Sequence, residues 1–396
     1  MKLSIIIVNY NVRHYLCQCL DSVRRSAEGL DVETWVVDNA STDDSVAMVR
    51  SLFPEAHVIE NKDNVGFARA NNQAIKASTG ELVLLLNPDT FIAEDTLTHC
   101  IRFFEDHQRA GAIGIHMVNR DGTFARESRR GLPTPSTAFY KVIGLSRLFP
   151  HSPRFARYHM GHLPEFADGR IEAISGAFMM LRREALEQVG LLDETFFMYG
   201  EDIDLSYRIG QGGWECWYTP ALMLHYKGES TQQTSFRYVY NFYNAMLIFF
   251  RKNFAKRYWF AWLFVELAVL AMGTLSMLRK WLHRGLHFLK NITGISKLQK
   301  RKAPYVEKLL FIGSEEAWVA LKPICERANI QAARINTIEE KKEDATYICF
   351  EITPTGRPYY QILWQLMAHA RTKHRSAIGT FNLQTQTLIL PNDIYT

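Results

Sequence analysis

Two short carboxylate motifs stand out in the chain, Asn87-Pro88-Asp89 and Gly200-Glu201-Asp202. A carboxylate beside a phosphorylated ligand has two principal uses. It ligates a divalent cation, or it accepts the proton of a hydroxyl that is about to react. Other polar residues recur at telling places: Asn9 and Asn11, Asp38-Asn39, Asn64, and a lone His225. Any one of them alone reads as well as a turn former or a structural residue. Four polar clusters at successive strand ends (Asn9 and Asn11, Asp38-Asn39, Asn64, Asn87-Pro88-Asp89) are hard to obtain by chance.

The apolar runs show what must position them. Leu3–Val8 is continuously apolar, as expected of a strand covered on both faces. Val12–Ser26 has helical spacing through Val12, Leu16, Leu20 and Val23. Val32–Val37, His57–Glu60, Leu82–Leu86 and Ala112–Met117 read as further strands. Ser41-Thr-Asp-Asp opens a helix as a cap with acids in the first turn. Helices are also expected over 66–77 and 94–107. This alternation predicts an α/β fold with a doubly wound, mostly parallel sheet. Such sheets bind ligands beyond the carboxyl ends of their strands, which is where these polar residues fall. Residues 121–170 are rich in Gly, Pro, aromatics and Arg (Arg126, Arg129, Arg130, Arg154, Arg157) and read as a long excursion over the site. Ile171–Leu181 returns to strand character, Arg182–Val189 is a short helix, and Trp214–Tyr218 and Leu222–Tyr226 are two more strands, the latter with His225.

The chain has 396 residues, room for a large catalytic domain and a smaller one. Six scattered cysteines form no zinc pattern, since Cys17-x-Cys19 is too tight and nothing completes it; reduced thiols are expected. The apolar run before Asn9 is short for the ~7–15 residues of a signal-peptide core and reads as a strand. Charge is unevenly spread. Residues 251–302 hold twelve Lys or Arg and one acid, Glu266, while the remainder holds 34 basic and 40 acidic residues. The longest apolar stretch, Tyr258–Leu278, lies in that basic insert, followed by the basic, amphipathic Arg279–Lys290. Positive charge on both flanks favours a monotopic or re-entrant helix on an anionic membrane surface, anchored by Trp259, Trp262 and Trp281, rather than a span or a nucleic-acid site. Three segments result: 1–245, catalytic; 246–303, membrane-associating; 304–396, a small α/β domain of unknown role.

Five motifs in order resemble the family 2 glycosyltransferases of the GT-A fold, in their rhamnosyltransferase-like branch, which makes bacterial surface polysaccharides. They are Ser4-Ile-Ile-Ile-Val-Asn-Tyr-Asn, Val36-Val-Asp-Asn-Ala-Ser-Thr-Asp-Asp, Asn64-Val-Gly-Phe-Ala-Arg-Ala-Asn-Asn, Leu84-Leu-Leu-Asn-Pro-Asp-Thr and Phe197-Met-Tyr-Gly-Glu-Asp-Ile-Asp-Leu. The resemblance covers roughly residues 1–245 and does not reach 300–396. It implies an inverting transfer of a sugar, L-rhamnose by analogy, from a UDP- or dTDP-sugar. The acceptor would be a lipid-linked glycan at the cytoplasmic face of the cell membrane.

The resemblance also implies roles. Asn9 and Asn11 would line the nucleotide pocket, and Asp38 would accept from the N3–H of uracil or thymine. Asn64, Gly66 and Arg69 would sit near ribose or diphosphate, with Gly66 allowing close backbone approach. Asp89 would bind Mg²⁺ or Mn²⁺ across the diphosphate. Asn87 stands where the family's first acid is expected, so the site would have one acid, with His225 as a further metal or phosphate ligand. Asp202 would be the general base, flanked by Glu201 in the sugar-nucleotide pocket. Its helix-start position favours the ionised form, whereas the neighbouring acids raise basicity. Two other classes compete: a nucleotidylyltransferase, which would need a Gly-rich basic loop after the first strand, and a non-catalytic sugar-nucleotide-binding membrane protein.

Overall fold

The computed structural model describes residues 2–134, 136–137, 140, 143–227, 236–254, 307–338, 345–352, 357–372, 376–391 and 393–396. The expected membrane segment, with Tyr258–Leu278 and its three tryptophans, lies outside these residues. Among the described residues no helix is long and apolar enough to cross a membrane.

Strand β1 (Leu3–Asn9) is buried along its whole length, as its unbroken apolar run requires. It lies between β2 (Val32–Asp38) and β4 (Leu82–Leu86), parallel to both, and β3 (His57–Glu60) extends the sheet beyond β2. The register sets Asn9 beside Asp38, so two of the polar strand ends are adjacent by construction. Helices α1 (Arg13–Ser26), α2 (Ser45–Leu52), α3 (Phe67–Ala77) and α4 (Thr96–Asp106) connect and cover this half. The second motif does not open its helix at Ser41. α2 begins at Ser45 after a left-handed Asp44 (φ 60°), because the Ser41 hydroxyl already accepts from Asn9 and from the Asn11 amide.

Beyond β4 antiparallel pairs enter the sheet, while β6 and β9 run parallel to each other. Its order is β3-β2-β1-β4-β8-β6-β9-β5, with β8 antiparallel to both β4 and β6, so the sheet is mixed. The expected strand over 171–181 is two pieces, β7 (Gly169–Ile171) and β8 (Phe178–Arg182). Residues between them run past the carboxyl end of β4, where the Asn87 amide donates to the Ala177 carbonyl at 3.0 Å. The two late strands are instead one, β9 (Glu215–His225), which pairs with β6 (Ala110–Asn119) through a register irregularity between Ile115 and His116. A three-residue strand, β5 (Thr90–Ile92), was not foreseen. It runs antiparallel to β9 and aligns Thr90 with His225. Helices α5 (Arg183–Val189), α6 (Glu201–Gln211) and α7 (Phe236–Asn253) complete this half.

The C-terminal part has a second sheet, ordered β11-β10-β12-β13-β14-β15, whose outer strands are β11 (Gln331–Arg334), β14 (Thr387–Ile389) and β15 (Ile394–Tyr395). Its core strands are β10 (Lys308–Ile312), β12 (Tyr347–Ile352) and β13 (Ala377–Asn382). It shares a core with the first. Phe91, Leu224 and Tyr226 pack in one apolar cluster with Ile348, Phe350 and Leu363. Glu94 accepts from the amides of Tyr359 and Tyr360 at 2.7 and 2.9 Å, serving the orphan donors at the start of α8 (Tyr359–Ala370). The Tyr359 hydroxyl donates to Asp21 on α1.

A shared core makes the two sheets one cooperative unit. Phe350→Ala should destabilise by about 3–5 kcal/mol, with both sheets unfolding in a single urea transition. Two separate transitions would contradict the shared core.

Candidate active site

The strand ends enclose a cleft of about 300 Å³. Of the residues singled out in the sequence, Asn64, Asn87, Asp89, Glu201, Asp202 and His225 line it. Asn9, Asn11, Asp38, Gly66 and Arg69 do not; all five stand in supporting roles.

Asn9 is fully buried, and its amide donates to Asp38 at 2.8 Å and to Ser41 at 3.0 Å. The other Asp38 oxygen accepts from the Ser41 amide at 2.8 Å. Asp38 thus closes the turn after β2 by the common Asx arrangement, and its neighbour Asn39 presents to the cleft. Asn11, in the left-handed region at φ 54°, accepts from the Thr42 amide and ties the β1 end to the same turn. Gly66 needs its lack of a side chain for a different reason from the one expected. At φ 87° a Cβ would lie 2.7 Å from the Phe197 carbonyl, so the close approach is to protein backbone. The Phe67 amide donates to that same carbonyl, locking α3 to the loop before α6. Arg69 pairs with Glu194 on the exposed face of α3.

Asp89 sits where β4 turns into β5, only 2 % exposed. The Thr90–His225 pairing brings the His225 Nε2 to 3.3 Å from its carboxylate. The other imidazole nitrogen, Nδ1, is buried with no hydrogen-bond partner among the described residues. No group of three or more His, Cys, Asp or Glu able to hold a metal occurs among the described residues. At this strand end a metal would meet one carboxylate and one imidazole, side by side. That pair suits a divalent cation whose remaining positions come from phosphate oxygens and water.

Gly200, left-handed at φ 86°, follows a left-handed Tyr199 and turns the chain into α6. Three acids then fall in the first turn. Asp204 points away from the cleft and pairs with Arg208 and Lys252, anchoring α7. Asp202 accepts from the Gly176 amide at 3.1 Å and from Arg130 Nη2 at 2.5 Å. Arg130 has only 14 % side-chain exposure, and it also donates to the Ile174 carbonyl. Glu201 is 5 % exposed, and its Oε2 has no hydrogen-bond partner among the described residues. Burial, with the Asp202 charge added to it, pushes the Glu201 carboxyl up to about 8, against a smaller opposing pull from Arg130. Two adjacent carboxyls are thereby set apart: one bears the ion pair, the other holds a proton near neutrality.

Several cleft residues went unforeseen. Arg130 was noticed only as one arginine among many, and Glu127 and Lys227, which pair with each other, were not noticed at all. Tyr10, Ser175 and Gly176 also line the cleft. Lys227 lies two residues past His225 at the same strand end, a signal available in the sequence. Arg130 and Gly176 have none, because both come from irregular chain.

Residues 4–190 match the model of the family described as Glycosyl transferase family 2. Over 242 residues the chain is 29% identical to the N-acetylglucosaminyl-diphospho-decaprenol L-rhamnosyltransferase of Mycobacterium tuberculosis, covering 58% of this chain and 77% of the relative. It is 30% identical over 212 residues to the low-salt glycan biosynthesis hexosyltransferase of Haloferax volcanii, covering 52% and 61%. A mannosyltransferase structure from Pyrobaculum calidifontis, in complex with GDP-Man and Mn²⁺, aligns at 17% identity and a TM-score of 0.44, over 75% of this chain and 81% of the other. Through residues 4–190 the chain is similar to the family 2 glycosyltransferases, and among the relatives it matches is one of the rhamnosyltransferase-like branch. These likenesses support an enzyme, a glycosyltransferase, and do not favour the nucleotidylyltransferase and non-catalytic readings.

The elevated Glu201 carboxyl has a consequence for stability. An acid whose pKa rises on folding stabilises in its protonated form. That contribution is present below the ordinary 4.5 and is lost as pH rises through about 8. Gln keeps the neutral shape and does not titrate. Thermal melts should therefore show wild type losing stability relative to Glu201→Gln between pH 4.5 and 8, with the gap closing in acid. Parallel curves would mean that Glu201 is ionised in the folded enzyme.

Proposed function

We propose that this glycosyltransferase inverts configuration as it moves a hexose, L-rhamnose in our reading, from a UDP- or dTDP-sugar to a lipid-linked glycan. It would do so in cell-surface polysaccharide synthesis at the cytoplasmic face of the cell membrane. One observation carries the reading: a single cleft holds the Asp89–His225 pair and the Glu201–Asp202 pair, with Asn39 and Asn64 on the nucleotide side. The acceptor and sugar classes are supported by the mycobacterial relative's name. The basic composition of residues 251–302 supports the membrane location.

Asp89 and His225 would hold Mg²⁺ or Mn²⁺, which when bound neutralises charge on the departing diphosphate. The rest is done by the chain itself. The acceptor hydroxyl is placed against Asp202, with its oxygen aimed at the anomeric carbon from the face opposite the diphosphate. The new carbon–oxygen bond forms as the bond to the phosphate oxygen breaks. The hydroxyl proton passes to Asp202. Arg130 and the Gly176 amide fix the position of the Asp202 carboxylate in the cleft. Glu201, protonated near neutrality, adds no second negative charge where a diphosphate must leave. Arg130 and Lys227 are the cleft cations that face the developing charge.

Transfer assays on a panel of UDP-, dTDP- and GDP-sugars with a membrane extract test this directly. Asp202→Asn should lower kcat by about 10²–10⁴-fold with donor KM little changed. A variant at full rate would remove Asp202 as the base. Chelation should abolish transfer, and both Asp89→Ala and His225→Ala should raise the metal concentration needed to restore it. Activity indifferent to chelator would end the metal assignment.

A further inference from the structure

The turn Arg126–Ser128 and the two residues after it form a thin wall. Glu127 and Arg130 face the catalytic cleft from one side. Arg126 and Arg129, at the complementary positions, line a second chamber of about 480 Å³. His151, His159 and His162 line it as well, and Glu165 is the single carboxylate there. The chamber is built rather than incidental. Arg129 is 5 % exposed, stacks over Phe124 and Tyr218, and donates to the Leu163 carbonyl. Its Nε is buried without a hydrogen-bond partner among the described residues. Two guanidiniums and three imidazoles against one acid make a receptor for an anion, and guanidinium geometry matches phosphate.

The rim of the chamber has a different chemistry. Ser146, Pro150 and His151 line the chamber, and the chain around and between them exposes apolar side chains: Ile143 at 50%, Leu148 at 70% and Phe149 at 46%. Arg147 and Arg154 are exposed beside them. Large apolar groups set among cations are what a surface needs to meet an anionic head joined to a hydrocarbon chain.

We propose that the second chamber binds the phosphate or diphosphate that joins the acceptor glycan to its lipid, and that residues 143–149 receive the start of the hydrocarbon. The chamber would then hold the acceptor by its anchor while the shared wall presents the sugar hydroxyl to the cleft. This rests on the reading of the acceptor as lipid-linked. It assigns Arg126 and Arg129 to acceptor binding and leaves donor binding to the cleft.

The test is equilibrium binding of farnesyl diphosphate and of inorganic pyrophosphate to the full chain, with the donor cleft saturated by UDP or dTDP. Wild type should bind farnesyl diphosphate at least tenfold more tightly than pyrophosphate. Arg126 is exposed, so Arg126→Ala should fold normally. It should weaken both ligands about tenfold, and Arg126→Lys should recover part of the loss. Phe149→Ser should weaken farnesyl diphosphate only. Donor KM should be unchanged in all three variants. Wild-type affinity in Arg126→Ala would overturn the chamber, and equal affinity for the two ligands in wild type would overturn the apolar rim. The parent reading fails separately. Transfer to a lipid-linked glycan without farnesyl diphosphate binding refutes the chamber alone. Binding with these variant effects but no transfer to any lipid-linked glycan supports the chamber and refutes the proposed acceptor.

Discussion

Burying carboxyl groups is costly unless each finds compensation, and this cleft buries three of them: Asp89, Glu201 and Asp202 are all at most 9% exposed. Each is compensated differently. Asp89 faces an imidazole, Asp202 a buried guanidinium and a backbone amide, and Glu201 holds a proton. The three solutions are linked, because the charge on Asp202 helps keep Glu201 neutral and Arg130 touches the balance of both. Much of the local architecture follows. Residues 172–177 must run past the end of β4 to supply the Gly176 amide, β5 must reverse onto β9 to supply His225, and the 126–130 wall must reach α6 to supply Arg130.

The donor side obeys a different logic. There the polar residues are mostly spent on one another. Asn9, Asp38, Ser41 and Asn11 form a network that holds two strand ends and a turn in fixed relation. The left-handed residues Asn11, Ala40 and Asp44 cluster in these loops. Gly66 and the Phe197 carbonyl then tie α3 to the loop that launches α6. The base-bearing helix and the nucleotide-side loops are therefore mechanically joined, which suits a displacement in which donor and acceptor must be aligned within a fraction of an ångström.

The C-terminal sheet contributes to this rigidity without entering the cleft. It packs behind β5 and β9, the two strands that bring Asp89 and His225 together, through Phe91, Tyr226, Phe350 and Leu363. Glu94, just past β5, caps a helix of that sheet. A short edge strand such as β5 has little to hold it in place alone, and the second sheet supplies the missing cover.

The first half of the sheet was legible because its rules are local. β1 and β4 are short apolar runs, β2 and β3 alternate with helically periodic segments, and parallel strands put their carboxyl ends on one side. Asn64, Asn87 and Asp89 stand out from their places after these strands, whereas the roles of Glu201, Asp202 and His225 come from the resemblance to family 2 glycosyltransferases; all six line the cleft. The assignments of Asn9, Asp38 and Gly66 to ligand contact did not carry into the cleft, since a polar strand end serves a turn as readily as a ligand and only packing decides between them. Tertiary structure alone decided the rest. The antiparallel turn of β8, the pairing of β5 with β9 and the ion pair between Arg130 and Asp202 are contacts between residues up to 135 positions apart. No periodicity encodes such distances. They arise where buried charges and unpaired backbone groups find their only available partners.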